Sequence, residues 1–455
     1  MARSNSPGDI LSATPSVPVI AYVPEPKTII QNPQLPDPEL KGEIQNASFS
    51  DVVALESSLR YDGGRQAWLT LIGGICAMTA TYGYGNAFGV YQDRYVREGV
   101  ASASSISWIG SIQIFLTMVS GIYTGPLVDR GYIRHMIFIG SVIFVFSLFM
   151  VSIVNIHHYY QLLLTQGIGM GIGGGLIYVP TIAAQSQHWL KHRPFAIGIT
   201  FAGISLGGII YPIMVNQMLV NGVSFAWTVR ASAFTVLGLL VMANICIYPR
   251  RYSSRDSSVV SPIDGVATIS FWSLFLDIPF ILTNIGAFLG LLGNFYPYFY
   301  TQLYATTHGT DDTFAFYTLA ILGVGAIVGR IASGVYAPTL GIFNSVILSG
   351  VCYAAVVFGL FGITTVAGIT IYALLSGFFT GTLFVTIASA ALSFTKSPAE
   401  AGMRAGLSFT ISSFGPLIGG PINGALLGNK LAWNKTIIFT GASFVECNVS
   451  LRTAH

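Results

Sequence analysis

The sequence predicts an all-α polytopic membrane protein with about twelve transmembrane helices, and three observations support this fold class. Roughly twelve apolar stretches, each about 17 to 27 residues long, follow one another between residues 67 and 452, and ~20 apolar residues in a helix cross the ~30 Å core of a bilayer. Hydrophobic residues make up 53% of the chain and charged residues 9%, with a mean hydropathy of +0.66. Because the bilayer core contains no water, backbone groups must be paired within each stretch, and stretches this long are helices rather than barrel strands of ~10 residues.

Charged residues, Gly or Pro mark the boundaries of the stretches and divide the chain into six plus six predicted spans. The first six are Ala67–Tyr91, Ser105–Leu127, Met136–Asn155, Tyr159–Gln185, Phe195–Leu219 and Phe225–Tyr248. The polar segment PRRYSSRDSSVVSPIDG interrupts the pattern. The last six are Asp277–Tyr304, Thr313–Tyr336, Ile342–Ile363, Val366–Phe394, Ala405–Leu427 and Thr436–Leu451, of which the last is short and contains Glu446. This predicts a bundle over 61–248, a cytoplasmic linker over 249–270 and a second bundle over 271–455.

Residues 1–60 are predicted to form a disordered cytoplasmic tail, because they carry eight prolines and too few apolar residues to offset chain entropy. The distribution of Lys and Arg predicts the orientation, since short cytoplasmic loops retain positive charge. With the tail inside, the outer side holds only Arg94, Arg97, Lys430 and Lys435, and Arg230 lies in the sixth span. We therefore expect a multi-pass protein of the plasma membrane with both termini in the cytoplasm.

Composition and motif spacing argue against several function classes. The formal charge is +3 and the basic residues are scattered, so a nucleic-acid partner is not expected. The four cysteines fall inside apolar stretches without metal-ligand spacing, and no metal or other cofactor is predicted. An intramembrane enzyme would need paired acids, clustered histidines or an activated nucleophile at helix depth, whereas His157, His158, His188 and His192 lie in predicted loops. We expect no enzymatic activity.

The segment GPLVDRGYIRH, residues 125–135, resembles the G-x-L-x-D-R-x-G signature between the second and third helices of the major facilitator superfamily. The resemblance implies two pseudo-symmetric six-helix bundles that rock about a solute site near mid-membrane. Asp129, Arg130 and Arg134 then lie at the cytoplasmic edge, where charges and helix termini can close the inward face. The alternative is a positive anchor of the positive-inside kind.

A second resemblance concerns the segments DGGRQAW, which begins at Asp62, and HWLKHRPFAIGITFAGISLGG, which begins at His188. Both are similar to the monocarboxylate porter family, particularly its fungal branch, over most of residues 62–430. The family's proton- and carboxylate-binding lysine and aspartate correspond to Asn86 and Ala326 here, and only the arginine is retained, as Arg330. The resemblance makes Arg330 a candidate anion ligand or gating residue. The alternative is that its side chain snorkels to the lipid headgroups.

Further candidate site residues lie on spans that line the central cavity in the superfamily. Aromatic residues crowd the first and seventh spans, where they fit either an aromatic belt at the outer interface or a cavity wall that stacks on an organic solute. The remaining cavity candidates are Tyr82, Asn86, Gln166, Tyr178, Phe288, Asn294, Ser408 and Ser412.

These observations favour secondary active transport of a small organic molecule, with export of an amphiphilic or carboxylate-bearing secondary metabolite as the leading hypothesis. The partners would be the solute, the lipid bilayer and, as a coupling ion, protons. Two alternatives stay open. One is proton-coupled uptake of a monocarboxylate, and the other is a non-transporting membrane sensor.

Overall fold

The computed structural model describes residues 63–189, 192–249, 277–394, 401–428 and 431–454, and in these residues the chain is helical, with no strand. The all-α prediction is therefore confirmed. The predicted tail and all but the first residue of the predicted linker lie outside the described residues.

Helices occupy each of the twelve predicted spans. In the first six, the helices are Arg65–Met78, Thr79–Gly83 (a π-helical turn) and Phe88–Arg97; Ala103–Val119 and Gly121–Asp129; Ile133–Val151; Tyr159–Leu162, Leu163–Gly169 (π-helical) and Met170–His188; Arg193–Val220; and Phe225–Cys246. In the last six they are Ile278–Asn294 and Tyr296–Thr307; Asp312–Leu340; Ile342–Gly359 with the 3-10 turn Leu360–Gly362; Val366–Ser393; Ala401–Leu427; and Trp433–Ala454.

Nine of the described spans are long and apolar enough to cross a membrane. The first, eleventh and twelfth fall outside this set, and all three contain many Gly, Ser or Thr residues. Proline residues occur inside the second, fourth, fifth, eighth and eleventh spans, where each removes one helix hydrogen bond.

The buried apolar side chains form separate cores in the two halves of the chain. One large cluster draws only on residues 76–247 and another only on residues 287–451. A third cluster combines residues of both halves, among them Tyr82, Tyr178 and Phe384. This arrangement supports the two predicted bundles, whose boundaries stay a prediction.

Most tyrosines of the first and seventh spans are buried inside the protein rather than at its lipid-facing surface, so the aromatic-belt interpretation is wrong for most of that group. The Tyr84 and Tyr91 hydroxyls lie 2.6 Å apart, and both rings are fully buried. The buried Tyr304 hydroxyl donates to the carbonyl oxygens of Leu360 and Ile363 at 2.9 and 2.7 Å. These phenols therefore have protein partners and are not at a lipid interface.

Glycines allow close backbone contact where the spans cross. A side chain at Gly329 in the eighth span would overlap the carbonyl oxygen of Phe378 in the tenth, and one at Gly377 in the tenth would overlap that of Leu322. Small residues at such crossings let helix backbones touch, which provides dispersion contact in the absence of a hydrophobic driving force.

We expect Gly329→Leu to destabilise the protein, because overpacking a tight contact costs roughly 1–3 kcal/mol or more. Gly238→Leu is the matched control, since a side chain there would meet nothing within 4 Å. The melting temperature and the monodisperse yield in detergent measure the effect. Equal behaviour of the two variants would contradict the tight eighth–tenth crossing.

Candidate substrate site and gate

Arg330 lies in the eighth span and joins the two halves of the chain. Its side chain is only 4% exposed, and Nη1 donates to the carbonyl oxygen of Phe201 and to Oγ of Ser205 in the fifth span, both at 2.7 Å. The snorkelling alternative is wrong, because the guanidinium points into the bundle rather than towards the headgroups.

The Arg330 guanidinium lacks a negative partner in the described part of the chain. Its two acceptors are neutral oxygens, and Nε has no hydrogen-bond partner there. Burying a cation against neutral oxygens is costly, and a guanidinium can bind a carboxylate through two parallel hydrogen bonds. The arrangement can therefore accept a solute anion.

Aromatic rings from both halves surround this position. The Tyr178 ring is 5.6 Å from Tyr82, 6.0 Å from Phe201 and 5.2 Å from Phe409, measured between centroids. Phe384 lies 6.0 Å from Tyr82 and 5.3 Å from Phe201, and its ring is 5.8 Å from the guanidinium carbon of Arg330. These rings form an apolar wall beside one cation, which suits a solute with an apolar body and an acidic group.

A small cavity lies beside this cluster, lined mostly by residues of the second half of the chain. Its volume is about 10 Å³, room for about one water molecule. The lining residues are Met118, Leu291, Phe384, Ile387, Ala388, Ser408, Phe409 and Ser412. Small-molecule sites commonly measure about 300 Å³ or more, so this cavity is too small to hold an organic solute.

Three hydroxyl groups around the cluster have no hydrogen-bond partner in the described structure. They are the phenols of Tyr82 and Tyr178 and Oγ of Ser412, and all three side chains are buried. Because an unpaired buried hydroxyl costs about 1–3 kcal/mol, these groups gain when a polar solute or water reaches them. Together with Arg330 and Ser408, these three residues form the candidate site that the structure assembles.

The other sequence candidates lie apart from this cluster or stay unassigned. Gln166 accepts a hydrogen bond from the Tyr95 hydroxyl at 3.0 Å and so belongs to the packing of the first half. Asn86 is half-buried against Gly208 of the fifth span. Asn294, at the break in the seventh span, is buried with its Oδ1 unpaired, and Phe288 is half-buried earlier in that span. Their substrate roles stay predictions.

Sequence reasoning missed Phe201, Ser205, Phe384 and Phe409. Phe201 and Ser205 lie within the segment 188–208 that resembles the porter family, but nothing in that resemblance gives them a role, and no motif or charge marks Phe384 and Phe409. Only the crossing of the spans brings the four residues together. The pair Phe201 and Ser205, spaced by one helical turn on a glycine-containing stretch, is the one local signal that could have indicated a shared face.

Asp129, at the end of the second span, forms a clasp with the start of the eleventh span. Its two carboxylate oxygens accept the backbone N–H groups of Gly402 at 2.8 Å and Met403 at 2.9 Å. A carboxylate at a helix N-terminus satisfies free N–H groups and interacts favourably with the helix dipole. This interaction closes one end of the bundle, which we call the Asp129 end and which the charge distribution predicts to be cytoplasmic.

Arg130 and Arg134 do not take part in the clasp. Both side chains are exposed, and neither forms an ion pair or hydrogen bond with another described residue. A second cross-contact at the Asp129 end joins Arg193 Nη1 in the fifth span to the carbonyl oxygen of Leu392 in the tenth, at 3.5 Å. Among the described residues there is no cluster of three or more metal-binding side chains.

A family model, relatives and a solved structure each match most of this chain. The family model described as Major Facilitator Superfamily matches residues 70–420. The aspyridones efflux protein of Emericella nidulans is 36% identical over 391 residues, covering 86% of this chain and 77% of that protein. The agnestins efflux protein of Paecilomyces divaricatus is 33% identical over 401 residues, covering 86% and 87%. The crystal structure of the transporter FucP in the outward conformation matches in fold with a TM-score of 0.59 and 14% identity, covering 86% of this chain and all of FucP.

We expect Asp129→Asn to favour opening of the Asp129 end, because the amide loses the charge and one acceptor oxygen. Charge-assisted hydrogen bonds contribute about 1.5–3 kcal/mol each, so the closed population should fall on the order of tenfold. Spin labels at the exposed positions His135 and Thr339 report the distance between the halves at this end. Arg130→Gln is the control, and an equal shift in both variants would contradict the clasp.

Proposed function

The chain belongs to the Major Facilitator Superfamily, and we propose that this multi-pass membrane transporter exports a small amphiphilic organic acid by alternating access. The observation that carries the proposal is the buried guanidinium of Arg330, which bridges the halves without a described counter-ion. A solute carboxylate can take over its hydrogen bonds while the apolar part of the solute packs on the surrounding rings.

Solute binding would be coupled to movement through the same hydrogen bonds. Arg330 Nη1 now contacts Phe201 and Ser205 across the boundary between the halves. If a solute anion replaces these acceptors, the fifth and eighth spans lose a cross-connection, and the bundles can rotate about the site. The orientation with the Asp129 end in the cytoplasm, and location in the plasma membrane, are parts of this proposal.

Export is favoured over uptake by the relatives. The proteins that are 36% and 33% identical to this chain are named as efflux proteins for aspyridones and agnestins. A metabolite of fungal secondary metabolism is therefore the proposed solute class. Membership of the fungal branch of monocarboxylate porters stays a proposal based on the segments that begin at Asp62 and His188.

The packing around Ala326 bears on the proton-coupled alternative. Ala326 is fully buried where the eighth span crosses the tenth, and a side-chain carbon at Gly381 would lie 3.0 Å from its Cα. Ala326 therefore occupies, at a tight crossing, the position where the porter resemblance implies an aspartate. If protons are the coupling ion, they must therefore bind elsewhere, and proton coupling stays a prediction.

A metabolite comparison tests the direction of transport. We expect the medium of cells that carry the gene to contain more of one compound than the medium of deletion cells. The deletion cells should contain more of the same compound inside. Untargeted mass spectrometry of medium and cell extract measures both pools. The reverse distribution would favour uptake and overturn the export proposal.

Arg330→Gln should reduce transport of that compound by at least about tenfold, because one charge-assisted hydrogen bond contributes about 1.5–3 kcal/mol. Arg330→Lys should retain part of the activity, since it keeps the charge but loses the planar fork. Transport into inside-out vesicles, normalised to protein abundance, measures the loss.

Two further variants act as controls for the Arg330 prediction. Ser205→Ala removes one acceptor of the bridge but leaves the proposed ligand, so transport should persist. Arg230→Gln changes a basic residue that lies over Trp227 in the sixth span, 5.3 Å from its ring, and should be neutral. Normal transport by Arg330→Gln would refute the anion-ligand role.

A further inference from the structure

A groove on the outer surface of the bundle lies between the ninth and twelfth spans. Its volume is about 430 Å³. The lining residues are Asn344, Ile347, Leu348, Val351 and Arg452. None of these residues belongs to the candidate substrate site, so the groove is a separate feature of the surface.

The two helices that form the groove run in opposite directions and are held rigidly together. The Tyr353 and Phe444 rings are in edge contact at 4.5 Å, and a side chain at Gly350 would overlap the amide of Asn448. The ninth span starts at Ile342, and the twelfth ends at Ala454. The groove therefore opens at the Asp129 end of the bundle, where these two helix termini meet.

The groove is polar at its mouth and apolar along its floor. Asn344 lies in the first turn of the ninth span and Arg452 in the last turn of the twelfth. Leu348 and Val351, each 52% exposed, continue the surface towards the middle of the membrane. Val351 is nine residues from Ile342, which corresponds to ~14 Å of helix, close to the ~15 Å thickness of one hydrocarbon leaflet.

Arg452 gives the mouth a positive charge. Its side chain is exposed and makes no hydrogen bond or ion pair with another described residue. Asn344 Nδ2 donates to the carbonyl oxygen of Leu340 at 3.1 Å, which leaves its second N–H available. Glu446, the other charged side chain on this part of the twelfth span, lies six residues before Arg452 and does not line the groove.

We propose that this groove binds one anionic phospholipid of the cytoplasmic leaflet. The phosphate is held by Arg452 and Asn344, and one acyl chain lies on Ile347, Leu348 and Val351. Charge complementarity identifies the headgroup, since a guanidinium pairs with phosphate through two hydrogen bonds and basic pockets between transmembrane helices hold acidic headgroups. The apolar floor at leaflet depth identifies the occupant as a lipid rather than a soluble anion.

Native mass spectrometry of the delipidated full-length protein tests this site, with dioleoyl phosphatidylserine as the probe and dioleoyl phosphatidylcholine as the neutral comparison. We expect one tightly retained phosphatidylserine, and Arg452→Gln should weaken its binding about fivefold, as expected for one basic residue near a charged surface. Arg134→Gln is the matched control, because Arg134 is an exposed arginine at the same end that does not line this groove. The control should bind as the unmodified chain does.

Leu348→Trp fills the floor without changing any charge and should also remove the retained lipid, while size-exclusion chromatography confirms that the variant is folded. Equal binding of phosphatidylcholine, equal loss in Arg134→Gln, or full retention in both groove variants would overturn the proposal. Displacement by inorganic phosphate alone would identify a soluble anion site. A dimer abolished by Leu348→Trp would identify a second copy as the occupant, and either outcome rejects the lipid.

Discussion

The structure depends on one constraint: inside a bilayer core, each polar group must find its partner within the protein. Many hydroxyls in the spans do so by donating one turn back along their own helix, as Thr81 does to Ala77 at 2.7 Å and Ser389 to Val385 at 2.8 Å. Arg330 departs from this pattern, since its guanidinium reaches across to the other half and meets only neutral oxygens. A charged group that the fold leaves under-satisfied inside the bundle is where a solute gains most by binding.

Two of the contacts between the halves differ in their position and in their chemistry. The clasp of Asp129 on the eleventh span joins a charge to two backbone N–H groups at the end of the bundle, where water can reach it once it opens. The Arg330 bridge lies deeper, and its acceptors can be exchanged for a solute anion without exposing the cation to lipid. In the proposed mechanism, the clasp contributes to the stability of the closed state, and the bridge makes that stability depend on the solute.

The sequence predicted the helical spans well because hydropathy and length decide them. It identified Asp129 and Arg330 through resemblances to the superfamily signature and to the porter family. It did not predict their partners. Gly402 and Met403 contribute backbone N–H groups, which any residue carries, and Phe201 and Ser205 become partners only through the crossing of two distant helices. The tyrosines of the first and seventh spans also show that composition does not predict contacts. From composition alone they could form a lipid belt or a cavity wall, whereas in the structure most of them are buried with their hydroxyls paired inside the protein.

The closed centre limits how transport can proceed. The cavity beside Phe384 and Ser412 has a volume of about 10 Å³, which is too small for an organic acid. In the proposed mechanism the halves separate, and the contacts of Arg330 with the fifth span break. In the same mechanism, a bound anion neutralises the guanidinium and replaces both of its acceptors. The solute would then favour the rearranged state through its differential affinity, which is the only means by which a ligand can shift a conformational equilibrium.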